Sequence, residues 1–64
     1  MNEYMATIRP SYGIGSFDEF FNAENDDDAI RHAKSITSEI IGEKLYKVYR
    51  VVGRKGVKIW DCED

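Results

Sequence analysis

The chain lacks most of what stabilises or equips a small protein covalently. Cys62 is its only cysteine, so no disulfide can close within it. One cysteine and one histidine, His32, cannot fill a four-ligand zinc site. No stretch approaches the ~20 consecutive apolar residues that a membrane span requires. The opening Met1-Asn2-Glu3-Tyr4 has neither the basic start nor the apolar run of a signal peptide. Internal repeats, linkers and low-complexity segments are also missing. These absences predict one compact domain over residues 1–64, residing in the cytoplasm, of the host cell if the protein is viral. Such a chain is near the lower size limit at which a hydrophobic core alone can hold a fold.

What is present is apolar material and a divided charge. Hydrophobic residues make up 42% of the sequence, enough for a modest core. The net charge of −3 conceals a bipolar distribution. Residues 1–30 hold seven acids (Glu3, Asp18, Glu19, Glu24, Asp26, Asp27 and Asp28) against Arg9 alone. Residues 31–60 hold eight bases (Arg31, Lys34, Lys44, Lys47, Arg50, Arg54, Lys55 and Lys58) against Glu39 and Glu43. The last residues add Asp61, Glu63 and Asp64. Charge asymmetry of this kind concerns partners more than fold.

Period and punctuation give the elements. Tyr4, Ala6 and Ile8 alternate with Met5, Thr7 and Arg9, a strand pattern over residues 3–9. Residues 10–15 are dense in turn formers and predict a hairpin loop. Residues 16–23 carry the aromatics Phe17, Phe20 and Phe21 and predict a second strand. Phe20 falls on the opposite face from Phe17, Phe21 and Ala23, which suggests a bulge or a second contact surface.

Asn25 and Asp26 are both suited to cap a helix, and Asp27 and Asp28 complement its positive end. Ala29, Ile30, Ala33, Ile36, Thr37, Ile40 and Ile41 recur at helical spacing, and Gly42 stands where a left-handed residue would end the helix. An amphipathic helix over residues 26–41 follows. Residues 44–52 predict a strand with Leu45, Tyr49 and Val51 on one face and Tyr46, Val48 and Val52 on the other. A turn at 53–56 leads to a last strand at 57–62, with Val57 and Ile59 alternating against Lys58, Trp60 and Cys62. The fold class is therefore α+β in ββαββ order: a four-stranded antiparallel sheet with one helix packed on one face. The other face stays open to water or to a partner.

Catalytic chemistry finds no footing in these residues. His32 on the helix has no obvious carboxylate or nucleophile to pair with. Cys62 stands among Asp61 and Glu63, whose negative charge opposes formation of a reactive thiolate. Gly13-Ile14-Gly15 is followed by no helix start that could hold a phosphate, and Asp26-Asp27-Asp28 lacks the spacing of a calcium loop. A non-catalytic protein without metal, cofactor or small-molecule substrate is expected.

Two surface features remain. The first is acidic: Asp18, Glu19, Glu24, Asp26, Asp27 and Asp28 crowd the junction of the second strand and the helix. Carboxylates spaced in this way can imitate DNA phosphates, although helix capping and solvation explain such a cluster too. The second is basic: Lys47, Arg50, Arg54, Lys55, Lys58 and Trp60 on the second hairpin, with Lys44, Tyr46 and Tyr49 interleaved. That mixture can hold phosphates and stack bases, or it can be ordinary strand alternation with lysines guarding an edge.

The helix sequence Ala29-Ile30-Arg31-His32-Ala33-Lys34-Ser35-Ile36 and the ending Lys58-Ile59-Trp60-Asp61-Cys62, set in ββαββ order, resemble small phage-borne anti-CRISPR proteins that inhibit type I effector complexes. The likeness covers residues from about Ala23 to the C-terminus, and its motifs are short. The resemblance implies inhibition by occupancy. The protein would bind protein subunits of the Cascade complex and keep target DNA out of a channel lined with basic residues. The six acidic residues would make the contact. Some proteins of this shape use basic residues instead, and a nucleic-acid-binding module built on the second hairpin is the alternative. A monomer or weak dimer is expected.

Overall fold

In the computed structural model, which describes residues 1–10, 15–38 and 42–62, five elements appear in ββαββ order. They are β1 (Asn2–Arg9), β2 (Phe17–Ala23), α1 (Asp26–Ser38), β3 (Lys44–Val52) and β4 (Lys55–Asp61). The strands form one antiparallel sheet in the order β2-β1-β3-β4, with α1 packed on one face. Because β1 is antiparallel to both its neighbours, β2 and β3 run in the same direction. The helix is thus the crossover of a split β-α-β unit with β1 inserted in the middle.

Alternation in β1 sets the core. Tyr4, Ala6 and Ile8 are all at most 1% exposed and face the helix; Ala6 and Ile8 cluster with Val48 of the adjacent strand, and Tyr4 with Ala23 and Ala29. Ala29 and Ala33 present only methyl groups, so the helix can come close to the sheet, and both are fully buried. Leu45 and Ala23 complete the buried set, and Phe21, Ile36, Ile59 and Trp60 pack around it half-exposed. Each fully buried aliphatic side chain contributes about 1.5–3 kcal/mol in this setting. Thr37 is a buried polar residue of the helix, and its hydroxyl donates to the carbonyls of Ala33 (3.1 Å) and Lys34 (3.0 Å).

The helix begins through a reciprocal cap. Asn25 Oδ1 accepts the backbone N–H of Asp28 at 2.8 Å, while Asn25 Nδ2 donates back to the Asp28 carboxylate at 3.4 Å. The second contact joins the two side chains and is not the backbone bond that completes a capping box. The first helical bond runs from Ala29 N–H to the Asn25 carbonyl at 3.0 Å, so Asn25 rather than Asp26 is the cap residue. Ile40 and Ile41, expected to end the helix, lie outside the described residues, as does most of the hairpin loop at 10–15. Gly42 has φ +94°, the left-handed conformation its position predicts.

Two expectations about strand faces are corrected. No bulge interrupts β2, whose pairing with β1 runs unbroken from Asn2↔Ala23 to Ile8↔Phe17. Phe20 simply points to the open face, 61% exposed. The irregularities lie in the second hairpin instead. Thr7 pairs with Lys47 but Ile8 pairs with Leu45, so Tyr46 is an extra residue in β3. Leu45 and Val48 consequently both reach the helix-covered core, although simple alternation assigns them to opposite faces. Likewise Val48 pairs with Trp60 and Tyr49 with Lys58, leaving Ile59 extra, and Ile59 and Trp60 both pack on the core.

Candidate protein and nucleic-acid contact surfaces

The strand order converts the bipolar sequence into a bipolar surface. β2 forms one edge of the sheet and β4 the other, separated by three inter-strand spacings or roughly 14 Å. The acidic residues of β2 therefore lie at one edge and the basic residues of β4 at the other, while the helix start reaches over the central strands, where Asp26 meets Tyr4 of β1 and Arg50 of β3.

Within the acidic set the structure draws distinctions that the sequence conceals. Asp18 pairs in register with Thr7 on the open face and accepts a hydrogen bond from its hydroxyl at 2.9 Å. Glu19 pairs with Ala6 and so belongs to the opposite, helix-side face of the edge strand. Asp26 lies 3.6 Å from the Arg50 guanidinium, and Asp28 lies 3.4 Å from that of Arg31. Both are thus partly neutralised, and Asp28 also belongs to the cap. Glu24 and Asp27 are exposed and carry no ion pair among the described residues. They flank a shallow recess of about 370 Å³ at the helix start, together with Asn2, Asn25, Asp26 and Arg50.

Beneath that recess is a small buried network. The fully buried Tyr4 donates its hydroxyl to Asp26 Oδ1 at 2.9 Å. Burial, and to a smaller extent the charge of Asp26, push the phenol pKa up, while the Asn2 side chain and Arg50 pull it down. Asp26 thus ties β1, β3 and the helix together, which gives it a structural role whatever else it touches.

The basic set is likewise divided. Lys47 and Lys58 stand on the open face, Lys58 holding Asp61 at 2.9 Å. Arg50 lies on the helix side, bound to Asp26. Arg54 and Lys55 are exposed at the hairpin turn, next to Gly53 with φ +63°. Trp60 packs half-buried against the core, with the Lys34 ammonium 5.3 Å from its ring centroid. It is therefore poorly placed to stack a base.

A cleft on the open face gathers one part of the basic and aromatic feature, Lys44, Tyr46, Lys47 and Tyr49, and adds residues outside it. It has a volume of about 530 Å³ and is lined by Thr7, Ser16, Lys44, Tyr46, Lys47, Tyr49, Asp61 and Cys62. The sequence already grouped Lys44, Tyr46, Lys47 and Tyr49 with the other bases of the hairpin; their separation from Arg50 and Trp60 follows from the bulges in β3 and β4, which have no local marker.

His32 is exposed on the helix, its ring 4.7 Å from that of Phe21, and Cys62 is half-buried at the rim of the cleft. Among the described residues no group of three or more His, Cys, Asp and Glu side chains is arranged to hold a metal ion. No helix among them is long and apolar enough to cross a membrane. No family model, curated protein or solved structure matches the chain.

Proposed function

We propose that the protein is a non-catalytic inhibitor that occupies the basic, nucleic-acid-binding surface of a larger protein machine. The contact is the acidic edge formed by β2 and the start of α1. The target indicated by the resemblance of the helix and the last strand is the Cascade complex of type I CRISPR systems, in a bacterial cytoplasm. One observation supports this reading above others: β2, with Asp18 and Glu19, and β4, with Lys55 and Lys58, are opposite edges of the sheet, and Glu24 and Asp27 are exposed with no ion pair among the described residues. Arg50 is a basic residue that reaches the helix start, where it holds Asp26.

The contact residues differ in weight. Glu24 and Asp27 are exposed and carry no ion pair among the described residues, and Glu19 extends the edge along β2. Asp26 and Asp28 already hold Arg50 and Arg31, so a partner's base must compete for them. Asp18, on the open face, lies at the margin. Exposed charge pairs are screened over ~8–10 Å at ordinary ionic strength, so inhibition should weaken as salt rises.

The test is a target-DNA binding assay with purified Cascade and the triple variant Glu19→Lys/Glu24→Lys/Asp27→Lys. All three residues are exposed and outside the cap, so the fold should persist by circular dichroism. Loss of inhibition by this folded variant supports the acidic edge. Undiminished inhibition by the variant, or none by the natural protein, overturns the proposal for this target.

A further inference from the structure

From the cleft on the open face we infer a second binding site, suited to a short segment of single-stranded nucleic acid. Its parts differ from those of the acidic edge. Tyr49 lies on the open face in register with Lys58, and its ring rests on Gly56 of the next strand. A Cβ at Gly56 would sit 3.4 Å from Tyr49 Cβ and Cδ1, which places the ring in van der Waals contact with the neighbouring strand. Tyr46, the bulged residue, supplies a second aromatic wall, and its carbonyl accepts the Cys62 N–H at 2.9 Å, which fixes the bulge. Two rings held by backbone features rather than by loops make a preorganised stacking surface.

Charge selects the ligand. Lys44 and Lys47 line the cleft, and neither has an ion-pair partner among the described residues. The Lys44 ammonium lies 5.7 Å from the Tyr46 ring centroid. Asp61, the carboxylate of the cleft, is compensated by Lys58 at 2.9 Å, and Asp18 nearby is bonded to the Thr7 hydroxyl. Glu19 belongs to the helix-side face of β2, and Glu24 and Asp27 flank the separate recess at the helix start, so an overall charge of −3 does not describe this face. An acidic peptide would use the lysines but leave the tyrosines idle. A nucleotide strand uses both, with bases against the rings and phosphates at the ammonium groups. A volume of about 530 Å³ is within the range of ligand sites, roughly 300–1,000 Å³, and the cleft is open at the surface so that a chain can continue past it.

Fluorescence polarisation with labelled oligo(U) and oligo(dT) tests this, with poly-glutamate and inorganic phosphate as competitors. Tyr49→Ala and Tyr46→Ala should each weaken binding about tenfold, and Tyr49→Phe and Tyr46→Phe should restore it, because stacking needs the ring and not the hydroxyl. Lys47→Gln should flatten the dependence of log K on log salt by about one unit. Thermal melting confirms that each variant is folded, and Glu24→Lys should leave affinity within about threefold. Three results overturn the proposal: no binding at low salt, equal binding by folded alanine variants, or displacement by poly-glutamate as effective as by unlabelled oligonucleotide. The last would assign the cleft to acidic peptides.

Discussion

The two faces of this sheet are made from the same four strands and do opposite work. On the covered face Tyr4, Ala6, Ile8 and Val48 are shut off from water by Ala29 and Ala33 of the helix. On the open face their immediate neighbours Met5, Thr7, Lys47 and Tyr49 stay half-exposed, and Phe20 is left 61% exposed. Side chains one position apart along a strand thus meet different physics: complementary packing on one side, accessible charge and aromatic surface on the other. The comparison teaches that stability and recognition can be changed separately here, since the two residue sets hardly overlap. Asp26 and Asp28 are the exceptions. Asp26 binds Tyr4 and Arg50 and Asp28 belongs to the helix cap, so an acidic-face variant that includes either changes both.

The largest expected effect comes from the covered face. Ile8→Ala should cost about 2–5 kcal/mol, comparable with the whole stability of a domain this small, and urea unfolding would show a largely unfolded population. A loss below about 1 kcal/mol would mean that the packed layer is not as described. Next, Asn25→Ala removes the side-chain partner of Asp28 N–H and should cost about 1 kcal/mol, read from the same denaturation curves.

A subtler break in the contrast is its response to alkali. The folded-state pKa of Tyr4 is raised, chiefly by burial, so the unfolded chain releases this proton first, near pH 10. The phenol's contribution is therefore fully present below about pH 10 and is lost as pH rises through the higher folded value. Tyr4→Phe has no such proton, and its stability should decline less between pH 9 and 11, the lysine background being common to both proteins. Equal slopes in the two pH titrations would remove the argument. The smallest effect belongs to the open face, where Phe20→Ser should alter stability by no more than about 0.5 kcal/mol. A larger loss would show that Phe20 belongs to the folded core and not to an accessible surface.

Much of the fold is written in local pattern. The period of 2 in β1, the helical period of the Ala29–Thr37 stripe and the Asn25 cap each follow from a few adjacent residues, and the structure realises them within a residue or two. The face assignments in the second hairpin do not follow in this way. Leu45 and Val48 share the core only because β3 carries an extra residue at Tyr46, and that depends on which Lys and Leu find Thr7 and Ile8. Trp60 appears in the sequence as a stacking candidate beside lysines, but a second irregularity at Ile59 turns it onto the core. The acidic run was legible as a run; its division into cap, ion pairs and free carboxylates was not, because Arg50 and Arg31 had to be brought within reach.

By itself, the sequence determined the element order, the limits of most elements, the amphipathic helix and a charge imbalance between its two halves. These depend on periodicity and capping, which act over a few residues. Only the tertiary structure decided that β1 lies between β2 and β3, that acidic and basic hairpins occupy opposite edges, and that Lys44, Tyr46, Lys47 and Tyr49 line one cleft. Strand order and bulges are set by long-range pairing, where the best joint packing of all four strands and the helix outweighs what any single segment prefers.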